Sequence, residues 1–217
     1  WLKHSSPKDI MNSKILSEKV EAVRQFRLSS KAKTTNGYAK VPQLFAQITQ
    51  PDDVDFLIIP RVSSERRRYV PIGFVTADII SSDAVQIVPD ATLYHFGVLT
   101  SNVHMSWMRA VCGRLKSDYR YSKEIVYNTF PWPDTTDDQK AKIEQTAQTI
   151  LDARAQYPDC SLADMYGEKM YLFPELLKAH QNNDRAVMQA YSFSVKDMTE
   201  SQCVAELMKM YQDLVSR

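Results

Sequence analysis

The chain has 217 residues, of which 44% are hydrophobic and 24% charged, a balance that suits a soluble globular protein of one domain or two small ones, long enough to bury a core. No apolar run approaches the roughly 20 residues of a membrane helix, and the opening WLKHSSPKDI lacks a secretory apolar stretch, so a cytoplasmic location and no membrane partner are expected. Net charge is +1, but residues 1 to 133 hold 18 Lys+Arg against 12 Asp+Glu while 134 to 217 hold 9 against 14, so a basic half precedes an acidic one.

In chain order, Ile15 to Leu28 places Leu16, Val20 and Val23 at helical spacing and predicts an amphipathic helix, followed by a loop over SSKAKTTNG. The segments LFAQI, VDFLIIP, YVPIGFV and AVQIVP, each bounded by Pro, Asp, Ser or Gly, predict strands of one small mixed sheet between Leu44 and Pro89. Leu93 to Arg114 predicts a buried helix, with Ser101 as a cap for its run through Trp107, Met108 and Val111. LKSDYRYSKEIVYNTFPWP is polar and aromatic by turns, and its closing prolines cannot continue a helix, which sets a domain boundary near Pro133. Beyond it Thr136 with Gln139, and Thr199 with Gln202, have capping-box spacing and open helices, with a third beginning at Pro174. The expected class is α/β in the α+β sense: a small mixed sheet with packed helices over 1 to 133, then a helical C-terminal domain over 134 to 217.

Searches for catalytic patterns find none. The 5 glycines never fall as GxGxxG or GxxxxGK, which removes a nucleotide-phosphate loop. Cys112, Cys160 and Cys203 are too sparse for a disulfide framework or CxxC metal spacing and are expected as reduced thiols. His180 and Asp184 share a helix face at i, i+4, as a metal pair does, but a buried structural hydrogen bond is the expected role. In NTFPWP the prolines follow the aromatic residue, the reverse of the Asn-Pro-Pro-Tyr loop that holds a target adenine in amino-methyltransferases, so a turn is expected there. The chain alone is expected to be no enzyme, with no metal and no cofactor of its own.

Two basic clusters remain. Arg61, Ser63, Ser64, Arg66, Arg67 and Arg68 lie between predicted strands, where guanidiniums and hydroxyls exposed together can grip phosphates. Arg109, Arg114, Lys116, Asp118, Arg120 and Lys123 interleave with Tyr119 and Tyr121. The lone carboxylate has two readings. It accepts from cytosine N4 beside a lysine that donates to guanine, or it pairs with a neighbouring cation on a solvated face.

The segments VEAVRQFRLSSKA, FLIIPRVSSERRRYVPIGF, ATLYHFGVLTSNVHMSWMRAVCGRLKSDYRYSKEIVYNTFPWP and PELLKAHQNNDRAV resemble the C-terminal third of MmeI-like type II restriction-modification proteins, and together span nearly the whole chain. In that family an adenine methyltransferase, often with a nuclease, is joined to a target-recognition domain. The resemblance implies sequence-specific recognition of double-stranded DNA, with base readout by Lys116, Asp118 and Arg120; clustering together with family position assigns backbone contacts to Ser63, Ser64, Arg66, Arg67, Arg68, Arg114 and Lys123. It further implies that S-adenosylmethionine, the adenine-holding loop and any nuclease site belong to an upstream methyltransferase region of a longer parent. One departure is LADMYGEKMYLFPEL, where relatives carry a proline-rich stretch, which leaves that connection open. The rival readings are a protein-interaction module docking on the methyltransferase or nuclease core, and an enzyme of unknown chemistry.

Overall fold

A computed structural model describes residues 2 to 216, which form two compact units divided between Gln50 and Pro51. In the first unit Ser6 accepts from the amide of Asp9, whose carboxylate accepts from the Ser6 amide, and this reciprocal cap opens α1 (Pro7–Asn12). Ser13 caps α2 (Lys14–Leu28). The expected loop after it contains α3 (Lys33–Gly37) and a 3₁₀ turn (Tyr38–Lys40). LFAQI is not a strand. The Arg27 guanidinium takes the carbonyls of Tyr38, Val41 and Leu44 at 2.9, 3.0 and 2.8 Å, and this curls the segment back on α2.

The second unit opens with β1 (Phe56–Pro60), β2 (Val62–Ser63), β3 (Gly73–Val75) and β4 (Val85–Pro89). Helices α4 (Leu93–Leu99) and α5 (Asn102–Val111) follow, then β5 (Gly113–Leu115) and β6 (Asp118–Arg120). A single π-helical turn, Lys123–Tyr127, leads through the buried FPWP segment to α6 (Asp137–Ala155). The chain closes with α7 (Leu162–Met165), α8 (Pro174–Ala190) and α9 (Glu200–Val215). Between α7 and α8 lie a short turn and one 3₁₀ turn, so LADMYGEKMYLFPEL forms a compact connection. The second unit therefore runs through Pro133 without a break in its core.

The class is mixed helix and sheet with a helical C-terminal part, but the single mixed sheet resolves into two antiparallel sheets of three strands, ordered β3-β1-β4 and β2-β6-β5. Arg61 joins them: its amide donates to Ala84 O in line with the first, and its carbonyl accepts from the Tyr121 amide in line with the second. Leu93 to Arg114 holds two helices, with α4 ending before Thr100 and the helix capped by Ser101 being α5. Ser101 adopts extended angles and its hydroxyl accepts from the His104 amide, as expected of a cap.

Helices α4, α6 and α8 share one interior. Gly97 lets α4 approach α6 so closely that an added Cβ would lie 2.7 Å from Ile143 Cγ2. Its carbonyl accepts from Asn183 Nδ2 at 2.7 Å, and Asn183 Oδ1 accepts from Thr146 at 3.0 Å, so one amide ties three helices. Arg154, 9% exposed, donates to Ile72 O at 2.9 Å and to the Tyr166 hydroxyl. His180 and Asp184 do not bond each other. His180 Nε2 meets Tyr166 at 2.6 Å, and Asp184 accepts from Tyr69 at 2.6 Å.

Candidate nucleic-acid interface

Residues 113 to 120 form a hairpin with a two-residue loop, set by the pairs Leu115 with Asp118 and Arg114 with Tyr119. Successive residues of a strand point to opposite faces and directly paired residues share one, so register decides which side chains share a surface. Tyr119 faces inward, 7% exposed, opposite Arg114 and Ser63. Asp118 and Arg120 therefore point to the other face, beside Leu115 and Val62, which are 51% and 40% exposed. Lys116 occupies the first loop position with φ 57°, a left-handed conformation that holds its exposed side chain at the tip. The three expected base-reading residues thus lie on the tip and one face of a two-stranded ribbon.

Arg114 is engaged by the ribbon itself. Its guanidinium lies 4.1 Å from the Tyr119 ring centroid and donates to Ser117 O at 2.9 Å, closing the loop from below. Lys123 begins the π-helical turn, exposed, with its ammonium 3.8 Å from Glu124.

The loop after β2 carries the other cations. Ser64 O accepts from the Arg67 amide and Ser64 Oγ from the Arg66 amide, so this serine shapes the turn. Ser63 corrects the expectation of an exposed hydroxyl: it is 3% exposed, because its place opposite Tyr119 turns it to the interior. Arg66 and Arg68 are exposed and Arg67 is partly so. Arg66 pairs with Glu168 at 2.8 Å, and that hydrogen bond and charge, with lesser help from Glu65 and Asp118, raise its pKa further. The loop leaves β2 directly after Ser63, which is paired with Tyr119 of β6, so strand pairing brings the basic loop beside the ribbon as sequence spacing alone does not.

Behind the ribbon the supports are aromatic. His104 is 1% exposed, meets the Tyr121 hydroxyl at 3.0 Å and the Phe130 ring edge-on at 4.5 Å; burial pushes its pKa down to about 3, so it is a neutral packing residue. Sequence reasoning missed Tyr119 as the floor under Arg114, missed Glu168 and Glu200, and, although it expected a buried structural hydrogen bond at Asp184, missed its partners Tyr69 and Asn102. Only the alternation of RLKSDYR hinted at the hairpin. Among the described residues no group of His, Cys, Asp and Glu could hold a metal ion, and no helix is long and apolar enough to cross a membrane.

Residues 1 to 134 match the family described as MmeI, target recognition domain, and residues 135 to 217 the family described as MmeI, C-terminal domain. DNA methyltransferase A of Bacillus subtilis (strain 168) is 35% identical over all of this chain, which spans 24% of that protein. A solved structure of the type IIL restriction-modification enzyme MmeI in complex with DNA aligns with a TM-score of 0.95 at 43% identity, over 100% of this chain and 29% of that one. With both models placed end to end over its whole length, the chain belongs to the MmeI family, as a target recognition domain followed by the family's C-terminal domain.

Proposed function

We propose that this chain reads the sequence of double-stranded DNA for a restriction-modification adenine methyltransferase, of which it is the recognition arm. The observation that carries the reading is the juxtaposition of Lys116 at the tip and Asp118 and Arg120 on one face of the ribbon, next to the loop of Arg66 to Arg68 that follows the paired strand β2. A two-stranded ribbon fits the major groove, whose width admits it. There the Lys116 ammonium donates to guanine O6 or N7 and the Asp118 carboxylate accepts from cytosine N4, which together select a G·C pair. Each correct contact contributes roughly 1 to 3 kcal/mol of discrimination. Arg120, one strand step along the same face, reads a neighbouring base.

Arg66, Arg67, Arg68, Arg114 and Lys123 hold the phosphates, with Ser64 supporting the turn. These contacts fix register and supply the salt-dependent share of affinity. We assign residues 1 to 133 to this task and 134 to 217 to a helical domain that supports it. In the parent protein the methyltransferase region supplies S-adenosylmethionine chemistry to an adenine drawn out of the duplex, as base-modifying enzymes require. What this chain contributes is the choice of site.

The test is a genome-wide map of methylated adenine in cells expressing the full-length protein, with Lys116 and Asp118 exchanged for other polar residues. A change of base at one G·C position of an otherwise intact motif supports the reading. A uniform loss at every site, or a motif indifferent to both residues, removes it.

A further inference from the structure

The Ser64 to Arg68 loop has few bonds of its own, yet its two ends are held firmly. At the start β2 pairs with β6, the second strand of the ribbon. At the end Tyr69, wholly buried, donates to Asp184 Oδ2 at 2.6 Å and stacks on His180 with ring centroids 4.2 Å apart. The other oxygen of that carboxylate, Oδ1, accepts from the Asn102 amide at 2.7 Å. Asn102 is the first residue of α5, the helix that runs into β5. One buried side chain on α8 therefore grips both the residue that closes the basic loop and the helix that carries the reading hairpin.

Contacts of two further arginines act in the same direction. Arg109 of α5 donates to Arg68 O at 3.1 Å and pairs with Glu200 of α9 at 3.3 Å. Arg66 pairs with Glu168, between α7 and α8, at 2.8 Å. All three carboxylates, Glu168, Asp184 and Glu200, lie beyond Pro133, whereas the loop lies before it. A loop whose ordering is achieved in the free protein binds more tightly than one ordered by its ligand.

We infer that Asp184 is a positioning residue for DNA binding: through Tyr69 and Asn102 it fixes the phosphate-gripping loop relative to the base-reading ribbon, so the helical domain sets the backbone grip without touching DNA. This inference rests on the proposed DNA-reading function and deepens it.

The experiment measures binding of the full-length protein to a duplex carrying its methylated motif, and to an unrelated duplex, across a series of salt concentrations. The variants are Tyr69→Phe, Asp184→Asn and Asp184→Ala, with Leu207→Ala, two turns along α9, as a variant that loosens the helical domain away from the loop. Tyr69→Phe and Asp184→Ala are expected to weaken both duplexes alike and to make the slope of log K against log salt shallower by about 0.9 for each phosphate contact released. Asp184→Asn, which keeps an acceptor for the Asn102 amide, should fall between Asp184→Ala and the wild type, and the methylated motif should stay the same. Leu207→Ala should lower thermal stability and leave the slope unchanged. Equal slopes for the wild type, Tyr69→Phe and Asp184→Ala overturn the inference, as does a slope change of the same size in Leu207→Ala. A triple Arg66, Arg67 and Arg68 to Ala variant separates the two levels. If it too leaves the slope unchanged, the phosphate role of the loop itself is wrong; if it flattens the slope while Tyr69→Phe and Asp184→Ala do not, only the positioning role fails.

Discussion

The guanidinium of Arg114 stacks 4.1 Å over the ring of Tyr119, its cross-strand partner, and the same side chain donates to Ser117 O at 2.9 Å. A directly opposed pair on adjacent strands is the unit that stabilises a sheet, and here it pins a short ribbon whose other face is left free. Arg114→Ala removes the stack and the bond that closes the loop. The expected cost is about 1 kcal/mol of stability, from a partly exposed cation-π contact, together with a loss of DNA affinity that does not depend on sequence. Thermal unfolding and binding to two unrelated duplexes measure the two effects.

Lys116 bears its charge at a backbone position that favours glycine, with φ 57°. A non-glycine residue in this region carries about 1 kcal/mol of strain, which Lys116→Gly relieves. The variant is expected to melt a few degrees higher, roughly 2 to 4 °C for a protein of this size. Base discrimination at the position read by the ammonium should fall at the same time. A melting temperature lower than the wild type's, seen by calorimetry, would show that the side chain and not the backbone angle governs the loop.

Gly97 is where α4 presses on α6. An added methyl group would lie 2.7 Å from Ile143 Cγ2, 3.1 Å from Asn183 Oδ1 and 3.2 Å from Ala147 Cβ, all buried. Gly97→Ala is expected to lose about 2 kcal/mol, within the range for overpacking a core, and to strain the Asn183 bond to its carbonyl. Urea unfolding gives the value directly, and a change under 0.5 kcal/mol would mean that α4 shifts freely away from α6.

Acid should weaken the fold through buried histidines. Burial lowers His104 to about 3 and His180 well below its usual value, so the unfolded chain takes up protons that the folded one refuses, and stability falls as pH drops below about 6.5. Asp184 acts in the opposite sense. Burial raises its pKa to about 6, above its ordinary 3.8, so its protonation in the folded state favours folding as pH falls from about 6 towards 4. A group that titrates in one state and not the other contributes a slope of about 1.4 kcal/mol per pH unit, so Asp184 offsets part of the histidines' loss. Asp184→Asn removes the offset, and the loss between pH 6 and 4 should steepen by up to about 1.4 kcal/mol per unit. Identical slopes for variant and wild type in urea unfolding at several pH values rule out this titration of Asp184.

How much of this was legible in the residues depends on how local the cause is. The caps at Ser101, Thr136 and Thr199, and the helix opened by Pro174, stand where the sequence places them, because a cap is decided within four residues. The resemblance to the MmeI family was legible too, carried by long runs between Pro60 and Pro133. LFAQI has strand composition and is not a strand, because Arg27, 17 residues before Leu44, takes that residue's carbonyl. The hairpin at Lys116 and Ser117 has none of the Asn-Gly or Asp-Gly signals of a two-residue loop; pairing with β2, the Tyr119 stack and the Arg114 bond to Ser117 O hold it. Ser63 reads as a surface hydroxyl and is buried by strand register.

Residue types, caps and charge asymmetry were therefore properties of the sequence itself. Which cations share a surface, and which acids from the helical domain hold them, was decided by the tertiary structure: Tyr69 and Asp184 are 115 positions apart, and no local preference encodes a contact over that distance. It forms because burying the Tyr69 ring leaves its hydroxyl in need of an acceptor, and packing α8 against that ring supplies one.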